Sequence, residues 1–201
     1  MPALWRAERG AIVMTQERTR STNMGTLRNA RVVVVEELAT DIRSLELAPL
    51  DNDGWPAAEA GAHIDLVLPN GLVRQYSVIN PGEPDRYIIA VLRESRGRGG
   101  SAYIFDELSE GDELRIGGPR NNFPLIDSGR PVCLIAGGIG VTPLLAMARV
   151  LARSNSPWRL YYCIRDRRQL AFGDLLEQFA VDVAHRGRGG GSAGLGSLDR
   201  R

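Results

Sequence analysis

Between residues 29 and 127 the chain alternates short apolar runs with turn-forming residues. ARVVVVEEL (30–38), IRSLELAPL (42–50), AHIDLVLP (62–69), RQYSVIN (74–80) and RYIIAVLRE (86–94) are each bounded by Gly, Pro, Asn or Asp. Runs of this length at this spacing predict a small antiparallel barrel or sandwich. SAYIFDEL (101–108) interrupts the series, because Ile104 and Leu108 fall four apart as on a short helix, and ELRIGGP (113–119) returns to a strand.

From residue 128 the period changes. PVCLIA (131–136) is apolar throughout, and PLLAMARVLAR (143–153) sets Leu144, Ala148 and Leu151 on one helical face. RLYYCI (159–164) reads as a second strand and LAFGDLLEQF (170–179) as a second helix. Strand and helix in alternation predict parallel strands joined by right-handed crossovers. With only these two units, the segment reads as a partial α/β domain. The expected organisation is a disordered leader (1–28), a barrel domain (29–127), a partial α/β domain (128–183) and a disordered tail (184–201). The leader is polar and without period, and the Gly-, Arg- and Ser-rich tail cannot bury enough apolar surface to offset its ordering entropy.

Composition narrows the function classes. At 201 residues and 43% hydrophobic content there is material for one full core and part of a second. A net charge of +1, from 25 basic and 24 acidic residues, provides no field to recruit nucleic acid or an acidic membrane surface. No window reaches the ~18 apolar residues of a membrane span, and the first residues lack a secretory pattern, so a soluble cytoplasmic protein is expected. Cys133 and Cys163 lie inside apolar runs and are expected to be buried thiols. His63 and His185 are isolated, and HExxH and CxxC are absent, so no metal site is expected.

Three short motifs carry the candidate chemistry. In GGIGVTPLLA (137–146), Gly137, Gly138 and Gly140 let a strand turn sharply and leave amide N–H groups unshielded. Thr142 is the expected N-cap and Pro143 the first helical residue, an arrangement suited to a pyrophosphate. The motif departs from GxGxxG, since Pro143 stands where the third glycine would be, and a plain tight turn remains the alternative. In RQYS, Arg74 and Tyr76 alternate to one strand face and Ser77 to the other, supplying a cation, an aromatic face and a hydroxyl of the kinds a flavin uses. In GRGGS, Arg98, Gly99, Gly100 and Ser101 place a guanidinium, two amides and a hydroxyl at the start of a short helix.

RQYS, RYIIAV, GRGGS, PRNNFPL (119–125) and AGGIGVTP (136–143) occur in an order and spacing that resembles the family of phthalate dioxygenase reductase and the reductase component of vanillate demethylase. The resemblance spans roughly residues 28 to 180. It implies a ferredoxin-NADP-reductase-like fold, in which an antiparallel Greek-key flavin-binding barrel precedes a partial Rossmann-like parallel nicotinamide-binding domain. It also implies a flavin-dependent oxidoreductase passing electrons from NADH through FMN to an oxygenase component or a separate ferredoxin. Residue by residue, it implies that Arg74, Tyr76 and Ser77 hold the FMN ring and phosphate, with Ala90 and Val91 on the ribityl side and Arg98, Gly99, Gly100 and Ser101 at the phosphate. Gly137, Gly138, Gly140, Thr142 and Pro143 would face the dinucleotide, with Thr142 and Cys163 at the reacting centre. Arg165 and Asp166 follow where ribose or 2'-phosphate recognition is expected; an acid favours NADH and a base NADPH, and the resemblance favours NADH.

The departures from the family pattern are specific. A plant-type 2Fe-2S cluster needs four cysteines in a C-x4-C-x2-C pattern, and this sequence has two cysteines in all. The later nicotinamide-domain strands, the aromatic that covers the flavin and the Cys-Gly-Pro loop have no counterpart. The Gly-rich stretch after Val183 is what a truncated or frameshifted reading frame would leave. The alternative expectations are a flavin-binding module with little or no NADH reductase activity, and a fragment whose sites are vestigial.

Overall fold

The computed structural model describes residues 26–51, 54–126, 128–154, 156–179, 181–185 and 195–197. Six strands form the first sheet: β1 (Leu27–Ala39), β2 (Ile42–Pro49), β3 (His63–Val67), β4 (Val73–Ser77), β5 (Tyr87–Leu92) and β6 (Glu113–Arg120), in the order β4-β3-β6-β1-β2-β5. Every ladder in it is antiparallel. The end strands β4 and β5 approach each other and close the sheet into a barrel. Helix α1 (Gly100–Asp106) caps it, with Ile104 and the following Leu108 both buried as their spacing predicts.

Alternation fills the barrel. Leu45 and Leu47 of β2, Ile64 and Leu66 of β3, Ile89 and Val91 of β5 and Ile116 of β6 are all fully buried in one core. The four-valine run of β1 is not buried throughout. A register shift between Val32 and Val34 turns Val33 and Val34 to the surface while Val32 stays inside. Trp55 stacks on Tyr87 at 4.9 Å, and the Tyr87 hydroxyl donates to the Pro56 carbonyl at 2.6 Å, so the ring fills the core and its polar tip is satisfied.

The second sheet contains β7 (Val132–Gly137), β8 (Trp158–Ile164), β9 (Val181–His185) and β10 (Leu195–Ser197), in the order β10-β9-β8-β7. β7, β8 and β9 are parallel, and β10 is antiparallel to β9. Helix α2 (Val141–Leu151) covers one face through Leu144, Leu145, Ala148 and Leu151, against Leu134, Ala136, Leu160 and Tyr162. The barrel contributes Ala60, Ile79 and Ala90 to this same core. Gly61, at φ +92°, lies under the Phe123 carbonyl so closely that a Cβ there would collide with it, and Asn121 donates to Glu59 at 3.0 Å and to the Ala60 carbonyl at 3.2 Å. The PRNNFPL segment thus clasps the barrel to the α/β unit.

Four expectations are corrected. Cys133 and Cys163 are exposed rather than buried, because they alternate onto the sheet face opposite α2, where Ile135 is also 69% exposed. The second helix, expected over residues 170–179, is only α3 (Gly173–Glu177), since Phe172 adopts φ 65° and the chain before it is not helical. β1 begins at Leu27, inside the expected leader. β9 reaches His185 and β10 pairs with it, because this stretch satisfies its backbone groups on an open sheet edge. The remaining leader and tail positions, including residues 1–25, 186–194 and 198–201, lie outside the described residues.

Candidate functional site

The turn after β5 and the first turn of α1 meet β4. Arg74 is half-buried, and its guanidinium donates to the Val73 carbonyl at 2.8 Å and to the Arg98 carbonyl at 3.1 Å. Gly100 packs directly on that side chain, for a Cβ there would lie 2.8 Å from Arg74 Cγ and Cζ and closer still to Nε. Gly99, the residue before the helix, has φ 81°, which favours glycine. The Ser101 hydroxyl oxygen accepts from the Glu94 N–H at 3.0 Å, closing the loop from residue 94 to 101 and leaving its own proton to donate elsewhere. The structure therefore brings RQYS and GRGGS, far apart in sequence, into one place.

Tyr76 is half-buried beside this loop. Burial pushes its phenol up to about 12; the Arg74 charge pulls it down and Glu94 pushes it up by smaller amounts. Ser77 lies opposite His63 in the β3–β4 ladder, on the other face of the sheet from Tyr76. On that face the buried Asp65 carboxylate pairs with Arg120 at 2.7 Å and accepts from Gln75 at 3.0 Å, tying β3, β4 and β6 together under Ser77. His63 is held below its usual range by burial first and then by the Arg120 charge, with Asp65 opposing them. Ala90 and Val91, adjacent on β5, point opposite ways. Val91 is wholly inside the barrel core, whereas Ala90 reaches the core under α2.

The glycine motif forms a 3₁₀ turn over Gly138–Gly140 between β7 and α2. Helix α2 starts at Val141 with Gly140 as its cap residue, so Thr142 is not the N-cap: its hydroxyl donates back to the Ile139 carbonyl at 3.1 Å, and the residue is 6% exposed. Pro143 accordingly sits at the third helical position. Only Gly138, at φ +51°, needs glycine for its backbone. A Cβ at Gly137, Gly138 or Gly140 would meet no atom within 4 Å. No described residue requires glycine at Gly137 or Gly140, so the bare backbone there leaves room for an anionic molecule to approach.

At the carboxyl end of β8, Cys163 pairs in register with Gly137, which sets the exposed thiol beside the glycine turn. Arg165 is exposed, and Asp166 accepts from the Arg168 backbone N–H at 2.9 Å and from its guanidinium at 2.6 Å. Arg168 is among the residues the motifs did not single out. So are Arg43, which donates to the Ile104 and Phe105 carbonyls at 3.1 Å and stacks over Phe105, and Asn80, whose side chain accepts from Ile88 N–H at 2.7 Å. A polar Asn80 directly after the apolar Val78 and Ile79 is the only sequence signal for it; Arg43 and Arg168 look like any surface arginine. Among the described residues no His, Cys, Asp and Glu group could hold a metal ion, and no helix is long and apolar enough to cross a membrane.

No family model matches the chain. It is 45% identical over 157 residues to phthalate dioxygenase reductase of Burkholderia cepacia, covering 76% of this chain and 49% of that protein. It is 44% identical over 151 residues to vanillate O-demethylase oxidoreductase of Acinetobacter baylyi, covering 74% and 48%. A solved structure described as phthalate dioxygenase reductase, a modular structure for electron transfer from pyridine nucleotides to [2Fe-2S], superposes with a TM-score of 0.75 at 41% identity, covering 79% of this chain and 51% of that one. The chain spans about half the length of the curated relatives it matches. Over that span its likeness to the phthalate dioxygenase reductase and vanillate demethylase reductases holds in sequence and in fold, with an antiparallel barrel followed by parallel strands and helices.

Proposed function

We propose that this chain is a flavin-dependent NAD(P)H oxidoreductase unit of an oxygenase system. In this reading residues 29–127 hold FMN, residues 128–183 hold the reduced dinucleotide, and electrons leave to an oxygenase component or a separate ferredoxin. The observation that carries it is the position of β5. Its outer residue Ala90 packs into the core under α2, and the strand lies against the 3₁₀ turn Gly138–Gly140, so the flavin-side strand and the dinucleotide turn are neighbours. The residues fit the cofactors: a held guanidinium at the barrel mouth, and bare backbone with open space above it at the turn.

A flavin, when bound, supplies hydride acceptance and one-electron release. The chain's own residues bind and orient. Arg74 is fixed by the Val73 and Arg98 carbonyls with N–H groups left to pair with phosphate, and Arg98, the Gly99 and Gly100 amides and the Ser101 proton complete an anion site. Tyr76 keeps its proton across the working range and so remains a hydrogen-bond donor, and Ser77 offers a second hydroxyl. Thr142 braces the turn through Ile139, while Gly137, Gly138, Gly140 and Pro143 present the surface for the dinucleotide. Cys163, which is exposed, pairs in register with Gly137 at the edge of that surface.

Titration of FMN fluorescence with the purified chain tests the binding half. Saturable quenching is expected, and Arg98→Ala should weaken it about tenfold; retention unchanged by that substitution removes the role of Arg98. A second reading, a flavin-binding module with little reductase activity, is favoured by one observation: the sheet face bearing Cys133, Ile135 and Cys163 is uncovered among the described residues, where parallel sheets are ordinarily covered on both sides.

A further inference from the structure

We infer that Arg43, which lies outside the anion site, is a positioning residue for it: by holding the far end of α1 it sets how tightly the chain binds a phosphorylated flavin. The inference rests on the flavin reading above and deepens it. Helix α1 has seven residues, Gly100–Asp106, and no side chain caps its start. A helix that short is marginal without outside support. The last carbonyls of a helix have no partner within it. Two of them here, those of Ile104 and Phe105, accept from a single Arg43 nitrogen at 3.1 Å each.

Arg43 stands on β2, in register with Glu37 of β1 on one side and Val91 of β5 on the other. Its Nε and its other terminal nitrogen donate to Glu37 at 3.0 Å and 2.5 Å, and its guanidinium carbon lies 4.3 Å from the centre of the Phe105 ring. Of the five N–H groups of a guanidinium, four are engaged by these bonds, and the side chain is only 15% exposed. Arg43 is therefore committed to α1 and Glu37 and is not a phosphate ligand. Arg93, directly after β5, pairs with Asp106 at 2.8 Å and lies over the same Phe105 ring at 5.7 Å. Two barrel cations thus pin the last turn of α1, the charge sign that a helix C-terminus favours. The first turn carries Gly100, seated on Arg74, and Ser101, closed onto the Glu94 N–H. Ser101 and Phe105 are four residues apart, about 6 Å along a helix axis. Freeing the pinned end lets the whole short helix tilt, and Gly100 and Ser101 then drift from Arg74.

The test compares FMN with riboflavin, which lacks the phosphate, by fluorescence quenching with the purified full chain. The parent should prefer FMN at least about tenfold, and Arg43→Met, which keeps an apolar stem, should bind FMN about tenfold more weakly while riboflavin changes less than about twofold. Arg43→Lys keeps the charge without the fork and should lose as much as Arg43→Met. In the ligand-free chain, amide exchange at Tyr103 and Glu107, whose N–H groups bond to the Gly99 and Tyr103 carbonyls, should speed up in Arg43→Met. Should that variant fail to fold, Glu37→Gln at an exposed position takes its place, with a selective loss for FMN of about threefold. Equal losses for FMN and riboflavin would make Arg43 merely structural, and full rescue by lysine would make its effect one of charge at a distance. Either result overturns the inference while leaving the flavin reading standing. A parent that binds FMN no better than riboflavin removes the phosphate site itself, and the inference with it.

Discussion

Gly100→Ala probes the joint between the two motifs proposed to hold the flavin, without touching either charge. The new methyl would lie 2.8 Å from Arg74 Cγ and Cζ, too close for both to stay. The flexible arginine, not the backbone, gives way, and its bonds to the Val73 and Arg98 carbonyls are lost. Those bonds contribute about 1 kcal/mol each to the fold, and the better helix propensity of alanine returns up to ~1 kcal/mol, so stability should change by about 1 kcal/mol or less. Flavin affinity should fall much further. A displaced guanidinium forfeits a charged hydrogen bond to phosphate of roughly 1.5–3 kcal/mol, or about ten- to a hundredfold in Kd. The assay is FMN fluorescence quenching beside a thermal melt of the apo chain. Arg74→Ala should lose as much, and the double variant no more than Arg74→Ala alone. A flavin Kd within twofold of the parent for Gly100→Ala, with Arg74→Ala strongly impaired, would refute the steric argument.

The two faces of β7 should respond unequally: Leu134→Ala should cost about 2–4 kcal/mol in chemical denaturation, and Ile135→Ala about 0.5 kcal/mol or less; equal costs would contradict the face assignment. Tyr87 and Tyr162 are fully buried, and burial pushes each phenol up to about 12. The folded chain therefore holds these protons more tightly than the unfolded one. Their contribution is intact below pH ~10 and lost as pH rises towards ~12, at most about 2–3 kcal/mol per tyrosine. Tyr162→Phe should flatten that alkaline decline in pH-dependent melts, and an unchanged slope would count against it. Both cysteines are exposed, so two thiols per chain should react promptly with a disulfide reagent under native conditions; reaction only after denaturation would contradict their placement.

The strands of the barrel were legible because each carries its own evidence. Ile64 and Leu66 alternate with Asp65, and the runs end at Gly, Pro or Asn, so neighbours in sequence announce which side is inside. The meeting of Arg74 with Gly100 was not readable from either motif, since it depends on how β4 and β5 approach across the closed barrel. Cys133 and Cys163 misled for a related reason: an apolar run such as PVCLIA implies a sheet covered on both faces, and here α2 covers one. Thr142 looked like a cap because hydroxyls before a helix usually are, but the 3₁₀ turn advances the helix start to Val141 and leaves the hydroxyl facing Ile139. Phe172 at positive φ shortened the last helix, and no local preference of phenylalanine would suggest that. The Asp166–Arg168 pair was hidden for a simpler reason, that sequence shows charges without showing which of them are already matched.

The central claim, that one chain joins a flavin site to a dinucleotide site, is tested most directly by an anaerobic absorbance spectrum of the FMN-reconstituted protein before and after NADH or NADPH is added. The account predicts bleaching of the flavin band at a rate far above that of free FMN, and loss of that rate in a variant carrying Gly137→Val and Gly140→Val. A flavin that binds but stays oxidised with both nucleotides would contradict it.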